Sequence, residues 1–152
     1  MAFFTPDQEA DLYGLLRGHP QYAEVLSFLK GPLADFARER IAPKAFVNDR
    51  DEIFDLDNFR ALGELGFVSL AYPEKYGGLG VPFPFYCAGL ETVAKADAGF
   101  ALGVAIHGTT CDGIFRFASD PLKDRYLADL IACRKVGAFA LFVTIAHRAR
   151  VA

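Results

Sequence analysis

Between residues 22 and 47 the chain sets Val25, Leu26, Leu29, Leu33, Phe36 and Ile41 in three- and four-residue steps among polar residues, which predicts an amphipathic helix. Gly31-Pro32 inside this stripe predicts a kink or a restart, because proline removes a backbone donor. Ahead of it, Thr5-Pro6-Asp7-Gln8 offers an N-cap, a first-turn proline and a capping-box glutamine for a short helix through Leu16, ended by Gly18-His19-Pro20. Asp55 or Asp57 then caps a helix carrying Phe59, Leu62 and Leu65, and Gly66 stands where a helix-ending glycine belongs. Residues 71–84 are dense in glycine and proline and read as a loop. Two strongly apolar helices follow, over 85–96 and 100–117, separated by Asp97-Ala98-Gly99. Ser119-Asp120-Pro121 opens a last amphipathic helix through Ala132, with Leu122, Tyr126, Leu127 and Leu130 on its apolar side. The texture changes only at 136–145, a β-branched and aromatic run that reads as a strand with no second strand to pair with. The pattern as a whole predicts an all-α fold of about six helices with a solitary strand-like segment at its C-terminal end.

Composition sharpens this picture. A chain of 152 residues with 53 % hydrophobic and 23 % charged residues is long and apolar enough for one packed core. Sixteen basic against 19 acidic residues, a net charge of −3, argue against a nucleic-acid partner, which calls for a basic face. Mean hydropathy is high at +0.21, yet the longest apolar runs fall well short of the roughly 20 residues of a membrane span. No membrane partner is expected; an apolar face that something else covers is. Cys87, Cys111 and Cys133 are odd in number and widely spaced, with no C-x-x-C pair, so they read as three small core residues in a reducing compartment. The N-terminal residues show neither a basic n-region nor an arginine-rich, acid-poor leader, and cytoplasmic placement is the expectation.

The catalytic inventory is thin. Gly77-Gly78-Leu79-Gly80 lacks the Lys-Ser/Thr of a phosphate loop and does not follow a strand, so it reads as a turn. His107, alone in an apolar helix, reads as a hydrogen-bonded structural residue, and His19 and His147 have no metal-ligand partner at helical spacing. Glu91 is the one acid placed to serve as acid or base, and a solvated or paired glutamate is the plainer account of it. These residues predict no catalytic group and no metal site.

The order of motifs carries more than any one of them. Phe36-Ala-Arg-Glu-Arg-Ile-Ala-Pro-Lys-Ala, then Leu62-Gly-Glu-Leu-Gly-Phe-Val-Ser-Leu, Tyr72-Pro-Glu-Lys-Tyr-Gly-Gly-Leu-Gly and Glu91-Thr-Val-Ala-Lys-Ala-Asp-Ala follow one another. A helix centred on His107, then Lys123-Asp-Arg-Tyr-Leu and Gly137-Ala-Phe-Ala-Leu, complete the series. In this order they resemble the N-terminal region of the acyl-CoA dehydrogenase family. After Leu141 the resemblance ends: where the family continues Thr-Glu-Pro into a β-domain, this chain reads Phe142-Val-Thr-Ile-Ala-His-Arg. Either a shifted reading frame or a natural short paralogue accounts for that tail.

The resemblance implies a division into an N-terminal helical extension over 1–35, the family's helical domain over 36–135, and the start of a β-domain with a divergent tail over 136–152. It implies FAD as the cofactor of the complete enzyme, an acyl-CoA as substrate, α,β-dehydrogenation as the reaction, and a homo-oligomeric parent. It places Ala101, Leu102, Ala105 and Thr109 on the wall of the acyl pocket, and Phe139 and Leu141 against the flavin. The family's usual base is a glutamate of the C-terminal bundle, to which Glu91 does not correspond. The chain by itself is therefore expected to be inactive and to retain no flavin. The alternative is a helical binding or interaction module without enzymatic activity.

Overall fold

The structure, a computed structural model, describes Gly14 and residues 16–140. The helix expected over 5–16 lies almost wholly outside them, as do Leu141, the second half of the strand-like run expected over 136–145, and the divergent tail.

The first element is a rod built of three α-helical segments, α1 (Tyr22–Phe28), α2 (Ala34–Phe36) and α3 (Ala42–Arg50). Two π turns, Leu29–Leu33 and Ala37–Ile41, join them. Gly31-Pro32 therefore neither breaks nor restarts the helix. Pro32 sits inside the first π turn, and Pro43 stands in the first turn of the α-helix that follows the second. A proline withholds one N–H and crowds the carbonyl four residues back, and a widened turn accommodates both. The rod's inward stripe of Val25, Leu29, Leu33, Ala37 and Ile41 is buried.

Helix α4 (Leu56–Glu64) is capped by Asp55, whose carboxylate accepts from the Asn58 N–H at 2.9 Å. It ends in a Schellman arrangement around Gly66 at φ 84°, where the N–H groups of Gly66 and Phe67 reach the carbonyls of Gly63 and Leu62. The loop that follows holds a short 3₁₀ turn, Glu74–Tyr76, stopped by Gly77 at φ 93°. Gly78 packs so closely under the Ser69 and Tyr72 carbonyls that a Cβ there would overlap them. The glycine run is thus a fold turn.

Helices α5 (Phe83–Ala96) and α6 (Ala98–Phe117) form an antiparallel hairpin hinged on Asp97, which caps α6 by accepting from the Phe100 N–H at 2.9 Å. Helix α7 (Asp120–Ile131) packs on α6 and buries Leu127, Leu130 and Ile131, while Leu122 of the expected stripe is exposed. The main core joins the rod, α4, α5 and α6 around Phe59, Phe67, Phe85 and Val104, and a smaller cluster of Tyr72, Cys111, Leu127, Leu130 and Ile131 seats α7. Each large apolar side chain so buried contributes about 1.5–3 kcal/mol. Residues 136–140 carry no strand ladder.

Candidate functional site

Helices α5 and α6, with residues of the loop before α5, enclose a cleft of about 190 Å³. Phe83, Tyr86, Cys87 and Leu90 form its α5 wall, Ala105, Gly108, Thr109 and Asp112 its α6 wall, and Ala71 and Tyr72 close one end. The helices approach here because Gly108 has no side chain: a Cβ would lie 2.6 Å from the Tyr86 hydroxyl.

The polar groups of this cleft are engaged or neutral. The Tyr72 and Tyr86 hydroxyls donate to the Gly108 and Val104 carbonyls, both at 3.4 Å. Burial pushes both phenols well above the usual tyrosine range and raises the Cys87 thiol as well. Thr109 turns its hydroxyl back onto the Ala105 carbonyl at 3.0 Å, presenting its methyl group outward. Asp112 pairs with Arg116 at 2.7 Å. Such a cleft can hold an apolar chain, and the one acid in its lining, Asp112, is engaged by Arg116. Glu91 lines a separate groove between the rod and α5, where it pairs with Lys95 at 2.7 Å. Among the described residues no group of three or more His, Cys, Asp or Glu side chains could hold a metal ion.

Of the residues placed on the acyl wall, the structure brings Ala105 and Thr109 together in the cleft. Ala101 turns into the main core at 3 % exposure and Leu102 faces outward at 63 %. Adjacent residues on a helix point about 100° apart, which puts these two at opposite edges of the face that Ala105 and Thr109 occupy. Phe139 stands exposed at 62 % on the exit segment, and Leu141 lies outside the described residues. Cys111 and Cys133 are buried as expected, but Cys87 is exposed at the cleft mouth. The contributions of Tyr72, Tyr86 and Gly108 were not singled out from the sequence; the small residue at 108, one turn beyond Ala105, is the signal that marks the close helix approach.

His107 is buried at 1 % exposure, and both its ring nitrogens meet backbone groups. Nε2 lies 2.9 Å from the Leu130 carbonyl, and Nδ1 accepts from the Gly137 N–H at 2.8 Å. Its ring stands edge-on to Phe59 at 4.8 Å. Burial moves its pKa below the ordinary histidine value.

The fold and the site define a helical domain with a mostly apolar cleft between two hairpin helices. The family described as acyl-CoA dehydrogenase, N-terminal domain, matches residues 28–134, and the chain belongs to it. It is 32 % identical over 115 residues to the mitochondrial isovaleryl-CoA dehydrogenase of Solanum tuberosum, covering 74 % of this chain and 28 % of that protein. To the mitochondrial short-chain specific acyl-CoA dehydrogenase of Mus musculus it is 28 % identical, covering 78 % of this chain and 29 % of that one. The solved butyryl-CoA dehydrogenase of Megasphaera elsdenii superposes with a TM-score of 0.68 at 30 % identity, over 74 % of this chain and 30 % of that one. The chain thus spans under a third of the length of these relatives.

Proposed function

We propose that this domain supplies the acyl-side wall of a flavin-dependent acyl-CoA dehydrogenase, the α5–α6 cleft and the open stripe of α6 receiving the acyl chain of the thioester. The cleft carries this reading: it is apolar, its hydroxyls are satisfied internally, and small Ala105 and Thr109 sit on its α6 wall. A saturated chain needs an apolar surface of this kind, and its burial there orients the reacting carbons from a distance. Ala101 acts from beneath, its small side chain letting α6 settle on the core, and Leu102 offers an apolar edge beside the mouth. FAD, when bound, supplies hydride acceptance. Phe139, exposed on the exit segment, fits a single contact to such a ring and does not amount to a site for it. The proton-abstracting base comes from outside this chain, since Glu91 faces the other groove. Assembly with further copies, as in the parent family, and a reducing, cytoplasmic setting for the three free thiols complete the reading.

The test is a chimera in which residues 28–134 replace the matching domain of the Megasphaera elsdenii butyryl-CoA dehydrogenase. The expected result is turnover of an acyl-CoA, with Ala105→Phe lowering kcat/KM about tenfold or more as the wall is filled. A folded, flavin-loaded chimera whose acyl-CoA turnover is indifferent to Ala105→Phe contradicts the proposal and favours an interaction module.

A further inference from the structure

Helix α6 does a second task on another of its sides. Taken round the helix at about 100° per residue, the cleft residues Ala105 and Thr109 come first, then the open stripe of Leu102 and Ile106, then Thr110 and His107. Against these last two lies Gly137, the start of the segment by which the chain leaves the bundle. Two independent features fix it there. The Gly137 N–H donates to His107 Nδ1 at 2.8 Å. A Cβ on Gly137 would lie 2.9 Å from both Cβ and Cγ2 of Thr110 and 3.3 Å from His107 Nδ1, so the approach is one that glycine alone permits.

The bonds dictate the state of the ring. The Leu130 carbonyl can only accept, so Nε2 must carry the hydrogen; the Gly137 N–H can only donate, so Nδ1 must carry the lone pair. That describes one tautomer of one protonation state. Adding a proton to Nδ1 would set two N–H groups against each other.

We propose that His107, as the neutral Nε2–H tautomer, is the positioning residue that clasps the exit segment to the acyl-wall helix and so sets where Phe139 stands relative to the cleft. What Phe139 meets rests on the function proposed above; the clasp is a property of this chain alone. The groups facing the ring are uncharged on every side: Phe59 from α4, the Leu130 carbonyl from α7, Gly137 from the exit segment and Cys111 on α6 itself. Burial pushes the Cys111 thiol up to about 12, so it stays protonated at 3.5 Å from Nε2. Nearby Asp129 pairs at the surface with Arg134 and Lys135, Asp112 pairs with Arg116, and no charged side chain contributes to the shift of His107. Nothing therefore compensates a proton on the ring, and acid opens the clasp.

The experiment is NMR on the full chain, reading the His107 tautomer from its ring nitrogens and the protection of the Gly137 amide against exchange. At about pH 7.5 the ring is expected as the Nε2–H form, and on moving to about pH 5 Gly137 protection falls about tenfold or more while that of Val104 holds within about twofold. His107→Ala removes Gly137 protection at both pH values. If that variant does not fold, Gly137→Ala serves instead: it leaves the histidine in place and is expected to free Nδ1 to take a proton, so the ring, still holding its Nε2 hydrogen on the Leu130 carbonyl, titrates at a higher pH than in the wild type. A His107 that carries its hydrogen on Nδ1, a Gly137 amide whose protection ignores pH, or a parallel loss at Val104 overturns the proposal. None of these readouts involves an acyl-CoA, so a failure here leaves the acyl-wall test standing, and the converse.

Discussion

Along α6, Ala101, Val104, His107, Gly108 and Cys111 are sealed by neighbouring helices, whereas Leu102, Ile106 and Phe117 on the same helix stand open at 63 %, 40 % and 85 % exposure. Both faces are apolar, and only one has a partner within the described residues. A helix apolar on two of its sides presents more apolar surface than this bundle covers. The sealed face explains why the domain folds; the open one, with the cleft beside it, is where the acyl-chain site is proposed.

The sharpest break between the faces is energetic. Phe59 is fully buried and packs edge-on to His107, so Phe59→Ala is expected to cost about 3–5 kcal/mol in urea unfolding. Asp97→Ala removes the cap that starts α6 and is expected to cost about 1 kcal/mol by the same measurement. The sealed face also carries a pH signature. A histidine held below its ordinary pKa stabilises the fold fully above about 6.5, the unfolded value. That stability is lost as the pH falls below it toward the folded pKa, so urea midpoints should drop over this window in the wild type and stay flatter in His107→Gln. On the open face, Leu102→Ser combined with Ile106→Ser should shift stability by no more than about 0.5 kcal/mol per site while lowering binding of a hydrophobic dye. A large destabilisation from that pair would mean that the stripe is already packed and that the comparison fails.

The sequence made the sealed half legible because periodicity and capping are local. The steps from Val25 to Ile41, the cap at Asp55, one of the two acids offered for it, and the Gly66 terminus each act through residues within one or two turns, and the structure places them where the pattern does. At Pro32 the pattern marked the irregularity but not its form: a π turn carries the chain past the proline while Leu29 and Leu33 of the stripe stay buried. The cleft was half legible. Small residues at 101, 105 and 109 suit a helix approach or a wall equally well, and only the neighbouring helix decides which faces which. Cys87 went astray for the same reason, since α5 turns it into the cleft mouth rather than the core. The partner of His107 at Gly137 lies thirty residues away, beyond the reach of any periodic pattern.

The central claim is that the α5–α6 cleft, and not some other hollow, receives an acyl chain. The direct measurement is an amide and methyl NMR titration of the chain with isovaleryl-CoA. The account predicts shifts gathered at Tyr86, Ala105 and Thr109, with the groove between the rod and α5, around Ala34, Ala88 and Thr92, unchanged. Shifts gathered in that second groove, or none at any concentration that saturates a folded relative, would contradict it.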